Sequence, residues 1–263
     1  MALCVVVAVA VSAALMLFTS PGRALGRRLP VVSGIIRWVY GGPVMPEAHT
    51  YGIDISRYQG EIDWEKLRVI PYDPITRRQD RNATGAEVNI GFIFAKASEG
   101  ADHVDPNIDI NREGARGLSI PFGAYHVLTM ADAREQAQNF IKTAKLQRGD
   151  LTPVIDVEDG ILGGLETKAV RNKILGVAKR LEKEYGRKPI IYSSVKLLER
   201  LNDDEKLAGY AFWIARYQVN ERPERADIWQ FTESGLVPGI RSMVDLNALY
   251  TDRFRLSDYV LRK

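Results

Sequence analysis

From Tyr51 onward, short apolar runs alternate with stretches of helical periodicity, and no other feature constrains the fold of this chain as strongly. Repeated strand and helix units bury their apolar faces by building a parallel sheet covered by helices. The spacing predicts strands at Tyr51–Ser56, Ile90–Ala97, Pro121–Leu128, Thr152–Val157, Pro189–Ser193, Ala211–Tyr217, Asp227–Phe231 and Met243–Leu246. Eight such strands predict a barrel. Between them, Asp132–Leu146 carries Ala133, Ala137, Phe140 and Ile141 on one side. Glu166–Tyr185 repeats Val170, Ile174, Val177, Ala178 and Leu181 at helical spacing, with Thr167 as expected N-cap and Gly186 where a left-handed C-cap belongs. Lys196–Leu201 is a shorter helix. After Phe212 little helix separates the strands, so the last third of the barrel is expected to be irregular.

A chain of 263 residues, 46% hydrophobic, can fill one such barrel. No Gly/Ser/Pro-rich linker divides it after residue 50. The stretch Pro71 to Asn89, with Arg77, Arg78, Asp80, Arg81 and Gly85, is polar and reads as an exposed excursion. Ahead of the body, Ala2 to Phe18 is uncharged and almost wholly apolar, then Arg23, Arg27 and Arg28 follow. That is an export segment or a membrane anchor; no cation precedes it and no clear cleavage site follows. Arginines behind a retained segment would hold the body in the cytoplasm, against the export expected below. Setting those three arginines aside, cations and acids balance at 33 each. The neutral body lacks the attraction that nucleic acid requires. The lone cysteine, Cys4, leaves the body without a disulfide, a thiolate metal site or a thiol nucleophile.

Two acids interrupt the otherwise apolar strand in Thr152-Pro-Val-Ile-Asp-Val-Glu-Asp-Gly160. Alternation puts Asp156 and Glu158 on one face and Ile155 and Val157 on the other, with the acidic Cα atoms ~6.6 Å apart. Burying acids in a strand is costly without a purpose, and at the C-terminal end of a barrel strand that purpose is commonly an active site. Asp54 in Tyr51-Gly-Ile-Asp-Ile-Ser56 and Asp245 in Met243-Val-Asp-Leu-Asn247 repeat the pattern. Carboxylates converging without metal-ligand histidines fit glycoside hydrolysis, with one acid protonating the leaving oxygen. Like-charge crowding keeps one member protonated, and Glu158, with the longer reach, is expected to be that acid.

These residues resemble glycoside hydrolase family 25 muramidases, the Chalaropsis-type lysozymes, from Tyr51 to about Thr251. The resemblance rests on Gly52-Ile-Asp-Ile-Ser56 with Gln59, Gly60, Ile62, Asp63 and Trp64, on Phe94-Ala-Lys-Ala-Ser-Glu-Gly100, and on Gly123-Ala-Tyr-His126. It continues through Val154-Ile-Asp-Val-Glu158, Ile190-Ile-Tyr-Ser-Ser194, Trp213-Ile-Ala-Arg-Tyr217, Trp229-Gln230 and Val244-Asp-Leu-Asn247. It implies an irregular (β/α)5β3 TIM-like barrel in one catalytic domain, cleaving the β-1,4 bond between N-acetylmuramic acid and N-acetylglucosamine in peptidoglycan. By this resemblance Glu158 is the general acid/base and Asp156 the stabiliser or orienter of the substrate's N-acetyl group. Asp54 and Asp245 are flanking acids, and Tyr125, Tyr192, Trp213, Trp229 and Gln230 line the groove. Lys96 and Glu99 either bind sugar or form an ion pair at the rim. Direct attack, an activated water and assistance by the substrate's amide all stay open.

No metal and no cofactor is expected: His49, His103 and His126 stand apart, and nucleotide, dinucleotide and acyl-transfer motifs are missing. His126 reads as structural. The expected layout is a signal peptide or anchor over residues 1–28, a tether over 29–50, the barrel over 51–255 and a tail over 256–263. The expected partner is the peptidoglycan glycan strand, met by an exported monomer that is periplasmic, extracellular or held outside the cytoplasm through residues 2–18. A chitinase-like N-acetylhexosamine hydrolase and a catalytically silent glycan-binding protein are the alternatives; Val154 breaks the acidic strand pattern of the former.

Overall fold

Alternate side chains along each apolar run part to two sides, and both sides are buried. The computed structural model describes residues 42–79, 85–162, 164–201 and 205–262. The apolar leader and its arginines lie outside them. The strands are β1 Thr50–Ile55, β2 Val69–Tyr72, β3 Ala86–Glu99, β4 His103–Val104, β5 Phe122–Val127, β6 Val154–Val157, β7 Ile190–Ser194, β8 Phe212–Ala215, β9 Ile228–Gly235 and β10 Val244–Leu249. From β3 through β5, β6, β7 and β8 to β9 neighbours run parallel. β10 returns antiparallel to β9, pairs antiparallel with β1, and β1 closes the circle parallel to β3. Eight strands thus form a closed barrel in a mixed α/β domain.

The α-helices longer than one turn among the described residues are α1 Ile108–Gly117, α2 Ala133–Ala144, α3 Thr167–Tyr185 and α4 Val195–Leu201. Outward residues Ile53, Ile93, Ile155, Val157, Ile191, Ile214 and Leu246 share one apolar layer with Phe140 of α2 and Val170, Ile174, Val177 and Leu181 of α3. Each such side chain contributes roughly 1.5–3 kcal/mol by leaving water. Asp132 caps α2, its carboxylate accepting from the Arg134 and Glu135 amides, while Gly186 ends α3 at φ 69°. The α3 N-cap is Glu166 rather than Thr167.

Inward residues form a second, separate layer: Phe92, Phe94, Val154, Ile190, Trp213, Ile228 and Leu249. The Phe92 and Phe94 rings lie against the bare backbones of Gly52 and Gly123, where any Cβ would collide with them. Beneath this layer the chain end serves as a floor. Tyr259 is buried in it, the Thr152 amide donates to Tyr259 O at 2.6 Å, and the Leu261 amide donates to Asp150 O at 2.8 Å. The stretch expected as a tail is therefore packed under the barrel.

The connection from β1 to β3 departs from expectation. Val69–Tyr72 pairs antiparallel with Ala86–Asn89, so both flanks of the polar stretch are strand, while Pro74, Ile75, Thr76 and Arg78 between them are exposed as expected. Gln79 is fully buried, its side-chain amide bracketing Leu236. Residues 42–48 lie along this hairpin: the Met45 amide donates to Arg77 O at 2.8 Å, and Arg77 Nε returns a bond to Met45 O at 2.8 Å. Helix α1 was not legible in the sequence, because its buried face mixes Ile108 and Ala115 with Asn111 and Arg112.

Candidate active site

The inward alternation that stacks aromatics in the barrel brings acids to its rim one step higher. Val154 faces the inner layer, so Asp156 sits above it, while Ile155 and Val157 face the helices. Asp54, near the end of β1, stands opposite Asp245, near the start of β10. Because β10 runs antiparallel, its first residues meet the last residues of the parallel strands. Glu158 follows β6 directly and is exposed at the mouth. Its carbonyl accepts from the Ile161 and Leu162 amides at 3.2 and 2.9 Å, which ties its backbone to a one-turn helix, Asp159–Leu162.

Asp54 is buried and held by donors. Gln230 Nε2 and Asn247 Nδ2 each donate to its Oδ2 at 2.8 Å. Behind them, Tyr192 and Tyr217 hydroxyls donate to Gln230 Oε1 at 2.8 and 2.5 Å, and Trp213 Nε1 donates to Asn247 Oδ1 at 2.8 Å. Burial pushes the Asp54 carboxyl up to about 6, and the bonds from Asn247, Gln230 and Asp245 oppose that rise.

Asp156 lacks such support. It is 6% exposed, and its Oδ1 has no hydrogen-bond partner among the described residues. Burial, then the charges of Glu158 and Asp54, hold its carboxyl well above the usual range, with Lys96 opposing. Burial and the neighbouring acids thus converge on Asp156, while Glu158 stands exposed beside it. Lys96 Nζ lies 2.6 Å from Glu99 Oε2. The Tyr125 phenol is raised by burial first, then by the fields of Asp54, Asp156 and Asp245. Tyr192 is raised by burial, Tyr217, Asp156, Asp54 and Asp245 in turn.

The expected groove residues therefore separate. Asp54, Asp156, Asp245, Glu158, Lys96, Glu99, Tyr125 and Tyr192 meet at one rim. Gln230 is buried and supports Asp54. Trp213 is 2% exposed, its ring centroid 5.1 Å from that of Phe94 and 5.0 Å from that of Tyr192, so it lies under the mouth instead of facing it. Trp229 is corrected outright: it joins the outer apolar layer beside Phe231, and its Nε1 donates to Arg216 O at 2.8 Å. Asn247 and Tyr217 close two of the motifs quoted above but carry no site role there. Asn247 shares its strand face with Asp245, and that spacing of two was the available signal. His126 is fully buried outside the barrel between Ser98 and Gln136, 2.8 Å from Ser98 Oγ and 3.2 Å from Gln136 Oε1, and burial pushes its imidazole down to about 4.

The family model "Glycosyl hydrolases family 25" matches residues 53–240. The Escherichia coli K12 protein YegX is 33% identical over 213 residues, covering 77% of this chain and 71% of that one. Lysozyme M1 of Streptomyces globisporus is 24% identical over 221 residues, covering 78% and 69%. The structure of a family 25 glycosyl hydrolase from Bacillus anthracis superposes with a TM-score of 0.67 at 26% identity, covering 82% of this chain and 96% of that one. The matched segment runs from β1 through the acids of β6 into the β9–β10 connection and takes in Asp54, Asp156 and Glu158, with Asp245 and Asn247 just beyond its end, and the chain belongs to glycosyl hydrolase family 25.

Proposed function

We propose that the protein is a muramidase that hydrolyses the β-1,4 bond between N-acetylmuramic acid and N-acetylglucosamine in peptidoglycan. The observation that carries this reading is the buried Asp156, with one oxygen unpartnered among the described residues, two residues from Glu158 on the same face of the strand. The names of similar proteins, Lysozyme M1 and the autolytic lysozyme of Clostridium acetobutylicum, support it.

The charge of Glu158 acts on Asp156, so the pair enters the reaction with one proton between them. When the substrate's acetamido N–H donates to Asp156 Oδ1, it favours the ionised form of Asp156, and the proton resides on Glu158. Glu158 gives that proton to the glycosidic oxygen as the C1–O bond breaks. The amide carbonyl oxygen, its nitrogen held by Asp156, closes on C1. Water then opens that ring, losing its proton to Glu158, which restores the acid. Asp54 and Asp245 shape the rim on the opposite side. The substrate polymer lies outside the cytoplasmic membrane, which fits an exported enzyme.

Digestion of purified peptidoglycan followed by borohydride reduction and mass spectrometry identifies the bond. The reading predicts N-acetylmuramitol at the new ends. N-acetylglucosaminitol would contradict it.

A further inference from the structure

Beyond the acids, the rim carries a line of alternating charge. Lys96 opposes Asp156 and pairs with Glu99, so its charge is answered on both sides. Glu99 in turn lies in the fields of His103 and Arg57. Arg57 opens the 3-10 turn Arg57–Gln59 directly after β1 and its cap Ser56. Its amide donates to Asp105 Oδ2 at 3.1 Å, which fixes the backbone. Its guanidinium Nη1 lies 3.2 Å from His103 Nε2, and Nη2 donates to the Tyr58 hydroxyl at 3.4 Å.

Elsewhere on the protein, Lys66 pairs with Asp63, Arg116 with Asp150 and Arg222 with Asp252. The Arg57 guanidinium contacts an imidazole and a phenol, all three side chains are exposed, and Asp105 and Glu99 add their fields to it without bonding the guanidinium. A fork of donors with no carboxylate bonded to it among the described residues is suited to an anion arriving from solution. On a glycan strand of the proposed substrate that anion is a carboxylate, either of the lactyl group on muramic acid or of a stem peptide attached to it.

We infer that Arg57, oriented by His103 and Tyr58, binds a carboxylate of the glycan strand and sets a preference for acidic peptidoglycan over neutral aminosugar polymers. This rests on the muramidase reading for its substrate, and the test separates the two. Wild-type, Arg57→Ala and Arg57→Lys proteins are assayed on strands with stem peptides, on strands stripped to free lactyl groups, and on both after conversion of carboxylates to methylamides. The quantity read is the ratio of kcat/KM on carboxylated to methylamidated strands. Arg57→Ala lowers that ratio about threefold to fivefold, the scale of an exposed ion pair, and Arg57→Lys keeps most of it. A fall on stripped strands assigns the lactyl group; a fall confined to peptide-bearing strands assigns the stem peptide. An unchanged ratio in Arg57→Ala on both strands, or an equal fall in Arg57→Lys, overturns the inference. The same ratio of Kd values, measured in a Glu158→Gln background with and without Arg57→Ala, needs no turnover. If wild-type protein cleaves nothing while this Kd ratio falls, the muramidase reading fails and the carboxylate site stands. Cleavage with both ratios unmoved removes Arg57 alone.

Discussion

Asp156 keeps a carboxyl buried with one oxygen unpartnered among the described residues and the charges of Glu158 and Asp54 in range. Its pKa is raised on folding, so the folded state holds the proton more firmly than the unfolded chain does. That contribution to stability is fully present below the ordinary carboxyl value near 4 and is lost as pH rises through the raised folded value. Asp54 acts in the same direction, with a folded value of about 6. Replacing Asp156 by Asn removes the unfavourable charge at neutral pH while keeping the shape. The variant is expected to melt about 2–4 °C above wild type at pH 7 for each kcal/mol regained, with a shallower fall in stability between pH 4 and 7. Its hydrolysis should drop by two orders of magnitude or more, on the order of what a positioned acid or base supplies. Thermal melts across pH, with reducing-end assays, read both. A lower Tm at pH 7 would show that the buried charge is better compensated than its contacts indicate.

The eight barrel strands were legible because each is a short apolar run bounded by turns, and alternation tells which residues share a face. That rule also held the error over Trp229. Gln230 faces inward to Asp54, so its neighbour must face out, and the two cannot line one groove. Trp213 has inward parity, yet depth along the strand decides whether an inward residue meets the mouth or the inner layer, and depth depends on barrel shear. The β2 hairpin and α1 stayed hidden for another reason. Their partners are polar groups satisfied by long-range contacts, such as Gln79 with Leu236 and Arg116 of α1 with Asp150, and no periodic pattern marks those. Close strand packing gives a test of the inner layer. Gly52→Ala forces a methyl into the Phe92 ring and is expected to cost about 1–3 kcal/mol, read as a lower midpoint in urea with an unchanged m-value. No shift would mean that the ring moves aside freely.

A closed barrel has no free edge, but it needs both ends filled. At one end the acids and tyrosines gather; at the other, Tyr259 is buried against the inner layer and Leu261, two residues on, in the outer one. Removing residues 256–263 uncovers the floor and should cost about 3–5 kcal/mol, two large side chains' worth of burial, seen as a lower Tm. A truncated protein that melts with wild type would show that the floor is dispensable. The whole arrangement exists, on this account, to hold Glu158 at the mouth over a bond oriented by Asp156. The direct measurement is solubilisation of purified peptidoglycan by Glu158→Gln protein whose Tm matches wild type. The account predicts a loss of at least about a hundredfold in the rate of reducing-end release. Release at the wild-type rate would contradict it.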